Sequence, residues 1–211
     1  MRLVTFQHGG STRAGLLTGD AHLLDLGHPA AGAGLAGRQP DLLSLVELGP
    51  QRMIDVLSGA DVGAREALLP LADVRILAPL PRPGRIFGIA FNYRDALAER
   101  GLPLPDAPRV FLKNTDTVIA PGEAIVLPAG AGGITYEAEL AVVLGAPAEN
   151  IVAGEALKTV AGYAVFNDVS ASEIIKRDGS FDRGKNFPTF GPFGPWFVTA
   201  DEVPDPQALA I

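Results

Sequence analysis

The sequence contains no cysteine. Disulfides, zinc–thiolate sites and cysteine nucleophiles are therefore excluded, and a cytoplasmic location is the natural expectation. Histidine is nearly as scarce: His8, His22 and His28 are the only three. No Gly-x-Ser-x-Gly elbow is present and no serine has an obvious histidine partner, so a serine-hydrolase triad has no support. Each histidine reads as an ordinary surface or turn residue. Positive charge is also thin. The 17 Lys and Arg face 24 Asp and Glu, a net charge of −7. No basic run reverses that balance, so nucleic acid is not an expected partner. No apolar stretch approaches the ~20 residues of a membrane-spanning helix, and no membrane association is expected. The opening Met1-Arg2-Leu3-Val4-Thr5-Phe6 reads as a strand and not as a signal peptide.

What is present is apolar and rich in turn residues. Hydrophobic residues make up 47% of the 211, which is enough for a packed core. The 25 Gly and 18 Pro favour a loop-rich, strand-containing fold over a helical bundle. Short strands are predicted over Leu3–Phe6, Arg13–Leu17 and His22–Leu26. Apolar spacing predicts helices over Leu42–Leu48, Met53–Leu57 and Arg65–Leu69. Three prolines in Ala78-Pro79-Leu80-Pro81-Arg82-Pro83-Gly84 mark a boundary between a small N-terminal domain (1–80) and a larger one (81–211). Beyond it, strands are predicted at 85–92, Val110–Lys113, Ala124–Leu127, Tyr136–Leu144, Ala161–Phe166 and Trp196–Thr199. A helix is predicted from about Tyr93 to Arg100. A second opens on a Ser170-Ala171-Ser172-Glu173 capping box and closes at Gly179.

Within these elements, Glu137 and Glu139 sit two residues apart in an otherwise apolar strand. Alternation puts both carboxylates on one face. Like charges that close, on a half-buried surface, need compensation. Asp168 follows the next strand, where it gives way to a helix. Three hard oxygen ligands without a His or Cys partner suit Mg²⁺, Mn²⁺ or Ca²⁺. The alternative is a solvated polar face with Glu139 paired to a cationic side chain. Gly32-Ala33-Gly34-Leu35-Ala36-Gly37 matches Gly-x-Gly-x-x-Gly, but Pro29 interrupts its entry and Pro40 cuts off the helix a dinucleotide site requires, so it reads as a loop. Lys185, in Arg183-Gly184-Lys185-Asn186-Phe187, is a candidate for binding a substrate carboxylate or stabilising an enolate, or else a solvated loop lysine. Lys113, at a strand end, is open to the same two readings.

Taken in order, Phe87-Gly88-Ile89-Ala90-Phe91-Asn92-Tyr93, Phe111-Leu112-Lys113, Tyr136-Glu137-Ala138-Glu139-Leu140, Asn167-Asp168-Val169-Ser170-Ala171, Lys185 through Pro192 and Gly194-Pro195-Trp196 resemble the fumarylacetoacetate hydrolase family. The resemblance covers roughly residues 80–211. It implies an α+β, mainly β fold: a mixed β-sandwich roll carrying a small N-terminal α/β domain. It further implies a homodimer with a divalent metal, most often Mg²⁺, otherwise Mn²⁺. The family's metal carboxylates fall on Glu137, Glu139 and Asp168, and its active-site lysine on Lys185. The implied substrates are small acylpyruvates and related 1,3-dicarbonyl or 2-oxo acids, which members hydrolyse, isomerise or decarboxylate.

Two departures from the pattern bear on chemistry. The family's water-activating His-x-x-Glu reads Ala96-Leu97-Ala98-Glu99 here. Glu99 is retained as a catalytic candidate, but a lone carboxylate with a reference pKa near ~4.3 is a weak base at neutral pH. Hydrolysis is therefore set against tautomerisation, decarboxylation and an impaired homologue that only binds. A non-enzymatic interaction domain is the third reading. The other departure is that the sequence stops at Asp205–Ile211, in what reads as a strand approach. The expectation is a C-terminally incomplete catalytic domain of low stability.

Overall fold

The computed structural model describes residues 1–35 and 40–211. The far end of the Gly32–Gly37 motif thus lies outside the described residues. The N-terminal segment opens with β1 (Arg2–His8), β2 (Ser11–Leu17) and β3 (His22–Asp25), paired antiparallel in sequence order. Gly9 and Gly10 form the two-residue turn between β1 and β2, at φ 56° and 79°. A tight hairpin of this kind needs positive φ at both positions, which glycine supplies without strain. Two short helices follow, α1 (Leu42–Val46) and α2 (Pro50–Ser58). The Asp41 carboxylate caps α1 by accepting from Ser44 N, and Pro50 opens α2, where its missing N–H costs nothing.

The third predicted helix is corrected. Arg65–Ala67 makes one 3₁₀ turn, and Leu68–Pro70 then forms β4 against β3. Pro70 cannot continue a helix, and the leucines gain more by extending the sheet. β5 (Arg75–Ile76) pairs with β1.

Beyond the proline-rich stretch come β6 (Ile86–Ala90), α3 (Arg94–Glu99), β7 (Arg109–Lys113), β8 (Val118–Ile119), β9 (Ile134–Thr135) and β10 (Ala138–Leu144). β11 (Val160–Asn167), β12 (Ser170–Ala171), α4 (Ser172–Asp178), β13 (Gly191–Pro192) and β14 (Phe197–Thr199) follow. The principal sheet runs β10-β11-β14-β1-β2-β3-β4, with β5 also on β1. Residues from both sides of the proline-rich stretch therefore share one sheet, joined where Leu3 pairs with Phe197. They also share a core: Leu3, Leu42 and Met53 belong to one buried cluster with Ala161, Phe166 and Phe197.

The join is tight. A Cβ at Gly162 would lie 2.2 Å from the Val198 carbonyl oxygen, so only glycine lets β11 run this close to β14. Three two-stranded sheets, β6-β7, β9-β12 and the parallel β8-β13, complete an α+β fold built mostly of strands. Among the described residues, no helix is long and apolar enough to cross a membrane.

Two more expectations are corrected. Ala124–Leu127 forms no strand; Val126 and Leu127 are exposed, and Val126 N donates to Thr189 Oγ1 instead. The capping box fails because Ser170 is engaged in β12, paired with Thr135, and its hydroxyl donates to the Asp168 carbonyl. Glu173 accepts from Gly133 N, while Gly179 ends α4 in the left-handed region as expected.

Candidate functional site

The antiparallel pairing of β10 with β11 sets Glu139 opposite Phe166 and Ala138 opposite Asn167. The pairing continues one step past the regular strands. Asn167 Oδ1 accepts from Glu137 N, and Asp168 N donates to the Glu137 carbonyl, each at 3.0 Å. Asp168 is thereby placed across from Glu137, on the side that Glu139 shares by alternation. One carboxylate oxygen from each of Glu137, Glu139 and Asp168 lies within 4.8 Å of the others.

Two lysines close this cluster, both 4% exposed. Lys185 Nζ donates to Glu137 Oε2 at 2.6 Å and to Asp168 Oδ2. Lys113 Nζ donates to Asp168 Oδ1 at 2.7 Å and to the Lys185 carbonyl. The Lys185 ammonium also stands 5.2 Å from the centre of the Phe111 ring, within cation–π reach.

The electrostatics follow from burial and proximity. Burial pushes the Glu139 carboxyl up to about 7, with the Asp168 and Glu137 charges adding to it and Lys185 opposing. Burial also works against the Lys185 ammonium, but Asp168 and Glu137 outweigh it and hold its pKa above the usual lysine value. For Lys113 the balance tips the other way: desolvation outweighs the pull of Asp168 and lowers the pKa. Among the described residues, no buried side-chain nitrogen or oxygen lacks a hydrogen-bond partner.

The three carboxylates and Lys185 open onto a cleft of about 410 Å³. Phe91, Phe111 and Phe181 wall it, with Phe111 and Phe181 ring centres 5.1 Å apart. Phe91 takes a positive φ of 60°, unusual for an aromatic residue, where β6 turns toward α3. Ala96 lines the cleft. Glu99 does not: it is exposed on another side of α3, and the structure leaves it outside the cluster.

Glu137, Glu139, Asp168 and Lys185, named from sequence, are thus brought together. Lys113 joins them from β7, a role its strand-end position did not announce. Asn167 and Asn186, which stood in the sequence motifs with no role assigned, support the site by hydrogen bonds to Glu137 N and to the end of β7. The donor set fits a divalent cation: three carboxylate oxygens, no nitrogen or sulfur ligand, and a spacing that lets one ion reach all three.

Comparison with known proteins bears on the same region. The profile of the fumarylacetoacetate (FAA) hydrolase C-terminal family matches residues 85–211. A provisionally named hydrolase of Burkholderia multivorans is 42% identical, over 100% of this chain and 71% of that protein. The crystal structure of 5-carboxymethyl-2-hydroxymuconate delta-isomerase from Mycobacterium smegmatis is 30% identical, with a TM-score of 0.69, covering 94% of this chain and 67% of that one. Fumarylacetoacetate hydrolase from psychrophilic Exiguobacterium antarcticum is 28% identical, with a TM-score of 0.76, covering 95% and 67%.

Proposed function

Because this chain belongs to the fumarylacetoacetate hydrolase family, we propose that it is a divalent-cation-dependent enzyme acting on acylpyruvates or related 1,3-dicarbonyl and 2-oxo acids through an enolate. The observation that carries this reading is the convergence of Glu137, Glu139 and Asp168 at one end of an aromatic-walled cleft, with Lys185 hydrogen-bonded to two of them. Those three carboxylates would hold Mg²⁺ or Mn²⁺, which when bound supplies Lewis-acid polarisation of the substrate's paired oxygens. Lys185 is the residue placed to donate to a substrate carboxylate, or to oxygen as negative charge builds on it. Phe91, Phe111 and Phe181 give this end of the cleft an apolar wall, and an apolar surround raises the worth of each such contact. The chain's part is thus positioning and electrostatics.

Hydrolysis is the reaction class that the Burkholderia relative's name carries. Splitting a carbon–carbon bond with water also needs a base to activate that water. The cleft presents the methyl group of Ala96, and Glu99 faces solvent. That observation favours a second reading, isomerisation or decarboxylation, in which no water is activated.

The test is a side-by-side assay of acylpyruvate hydrolysis, oxaloacetate tautomerisation and oxaloacetate decarboxylation, with Mg²⁺ or Mn²⁺. We expect cation-dependent turnover in at least one, falling about 100-fold or more in Glu137→Gln and Asp168→Asn as cation binding is lost. A folded wild-type protein that neither binds the cation nor turns over any of these substrates would overturn the proposal.

A further inference from the structure

The role of Lys113 goes beyond the assignments above. It ends β7 and is almost fully buried, and its ammonium is shared between Asp168 Oδ1 and the Lys185 carbonyl. A neutral fastening stands beside it. The Asn186 side chain accepts from Asn114 N and donates to the Leu112 carbonyl at 3.0 Å and the Asp182 carbonyl at 2.7 Å. The end of β7 is therefore tied to the Lys185 loop at three consecutive residues. Only the middle tie uses a charge. Burying an ammonium is costly unless it is well paired, and Asn186 already supplies a tie from neutral groups. Fastening the loop alone does not account for a charge here.

Charge balance does. With Glu137, Glu139 and Asp168 ionised, the cluster carries three negative charges against two positive, on Lys113 and Lys185. A divalent cation leaves the loaded site with one net positive charge, suited to a carboxylate ligand. Without Lys113 the same site is neutral. We propose that Lys113 is a positioning residue of this site: it fixes the Asp168 carboxylate through Oδ1 while Oδ2 meets Lys185, holds Lys185 by its carbonyl, and keeps the loaded site net positive for an anionic substrate. The inference rests on the reading of the acidic trio as a cation site.

The experiment uses Lys113→Met, Lys113→Gln as a second neutral variant that keeps a hydrogen-bond donor, and Lys113→Cys. The last is alkylated with 2-bromoethylamine in denaturant and refolded, which restores an ammonium on a thioether stem. Because the chain has no cysteine of its own, that alkylation is confined to position 113. Mn²⁺ affinity is measured by calorimetry. Pyruvate affinity for the Mn²⁺-loaded protein is then read from paramagnetic broadening of the pyruvate methyl resonance.

The folded neutral variants are expected to keep Mn²⁺ affinity within about tenfold of wild type. For that cation, losing a positive neighbour offsets losing the orientation of Asp168. For pyruvate both losses act in one direction, and affinity falls about tenfold or more. The alkylated protein recovers pyruvate affinity to within about threefold of wild type. A purely structural Lys113 would lower the melting temperature and leave pyruvate affinity intact in either folded neutral variant; that result overturns the proposal. A wild type that binds no Mn²⁺ overturns instead the cation reading on which it rests.

Discussion

The proton on Glu139 allows a quantitative prediction. Burial, joined by the charge of Asp168, takes this carboxyl to about 7, from the 4.5 it would have in water. A cation takes only the ionised form, so below pH 7 its binding must displace a proton. With a pKa of about 7, proton release should be roughly 0.9 at pH 6, about 0.5 at pH 7 and roughly 0.1 at pH 8. Cation affinity then rises about tenfold between pH 6 and pH 8 and levels off above. Lys185 takes no part in this window, because its ammonium is held above the ordinary lysine value. Calorimetry in buffers of different ionisation heat counts the protons directly, from the slope of observed heat against buffer heat. In Glu139→Gln the slope should vanish. The stability of the metal-free protein carries the same signature. The folded pKa is raised, so the contribution of Glu139 is fully present below about 4.5 and is lost as pH rises through about 7. The metal-free melting temperature should therefore fall across that interval, and Glu139→Gln should flatten the fall. Buffer-independent heats at pH 6, in a wild type that binds Mn²⁺, would refute the reasoning.

Gly162→Ala should destabilise the protein by about 3 kcal/mol in denaturant unfolding, because the added carbon meets main chain that cannot step aside; a change under about 1 kcal/mol would show that the contact yields. At Gly88 an added Cβ would lie 2.0 Å from Phe111 Cζ, so Gly88→Ala should displace that ring from beside Lys185 and weaken pyruvate binding. Unchanged pyruvate affinity in the folded variant would count against the ring's role. Glu99→Gln alone should leave enolate-forming rates within about twofold, and Ala96→His should raise hydrolysis relative to decarboxylation, a gain that Glu99→Gln should then cancel. A folded Ala96→His protein with an unchanged ratio would argue against water activation from this helix.

The legible and illegible parts of this molecule divide by physical range. Glu137 and Glu139 were readable because alternation is a local property, and Asp168 because a polar pair, Asn167-Asp168, ends an apolar strand. Their meeting needed the β10–β11 register, which only the fold supplies. Lys113 and the carbonyl it holds are 72 positions apart. No periodicity reports such a contact, so the site's second cation stayed ambiguous until the fold was known. The two-residue strands β5, β8, β9, β12 and β13 are too short to show alternation at all. Ala124–Leu127 and Ser170–Glu173 misled for one reason: each carries a valid local pattern that loses to tertiary pairing. Val126 gives its N–H to Thr189, and Ser170 is claimed by Thr135 across β9-β12. The family resemblance added what spacing alone left open, the assignment of the carboxylates to a cation and of Lys185 to substrate.

On the proposed reading, the choice between hydrolysis and the water-free reactions would turn on how α3 is rotated, and that rotation is fixed by packing. Leu97 is 5% exposed and anchors the helix. At about 100° per residue, Ala96 lies about 100° from Leu97 and Glu99 about 160° from it, so Glu99 is on the side away from Leu97. The helix ends on Gly101 at φ 63°, with Gly101 N donating to the Ala98 carbonyl and Leu102 N to the Leu97 carbonyl. This Schellman closure prevents the last turn from unwinding to swing Glu99 inward. Turning the whole helix instead would draw Leu97 out of its pocket, at a cost of about 2–4 kcal/mol by analogy with leucine truncation. Along with Leu97, residue 96 lines the cleft, and in this chain it is a methyl group. On the proposed reading, Glu99, one turn on and facing solvent, would act through a group placed at 96.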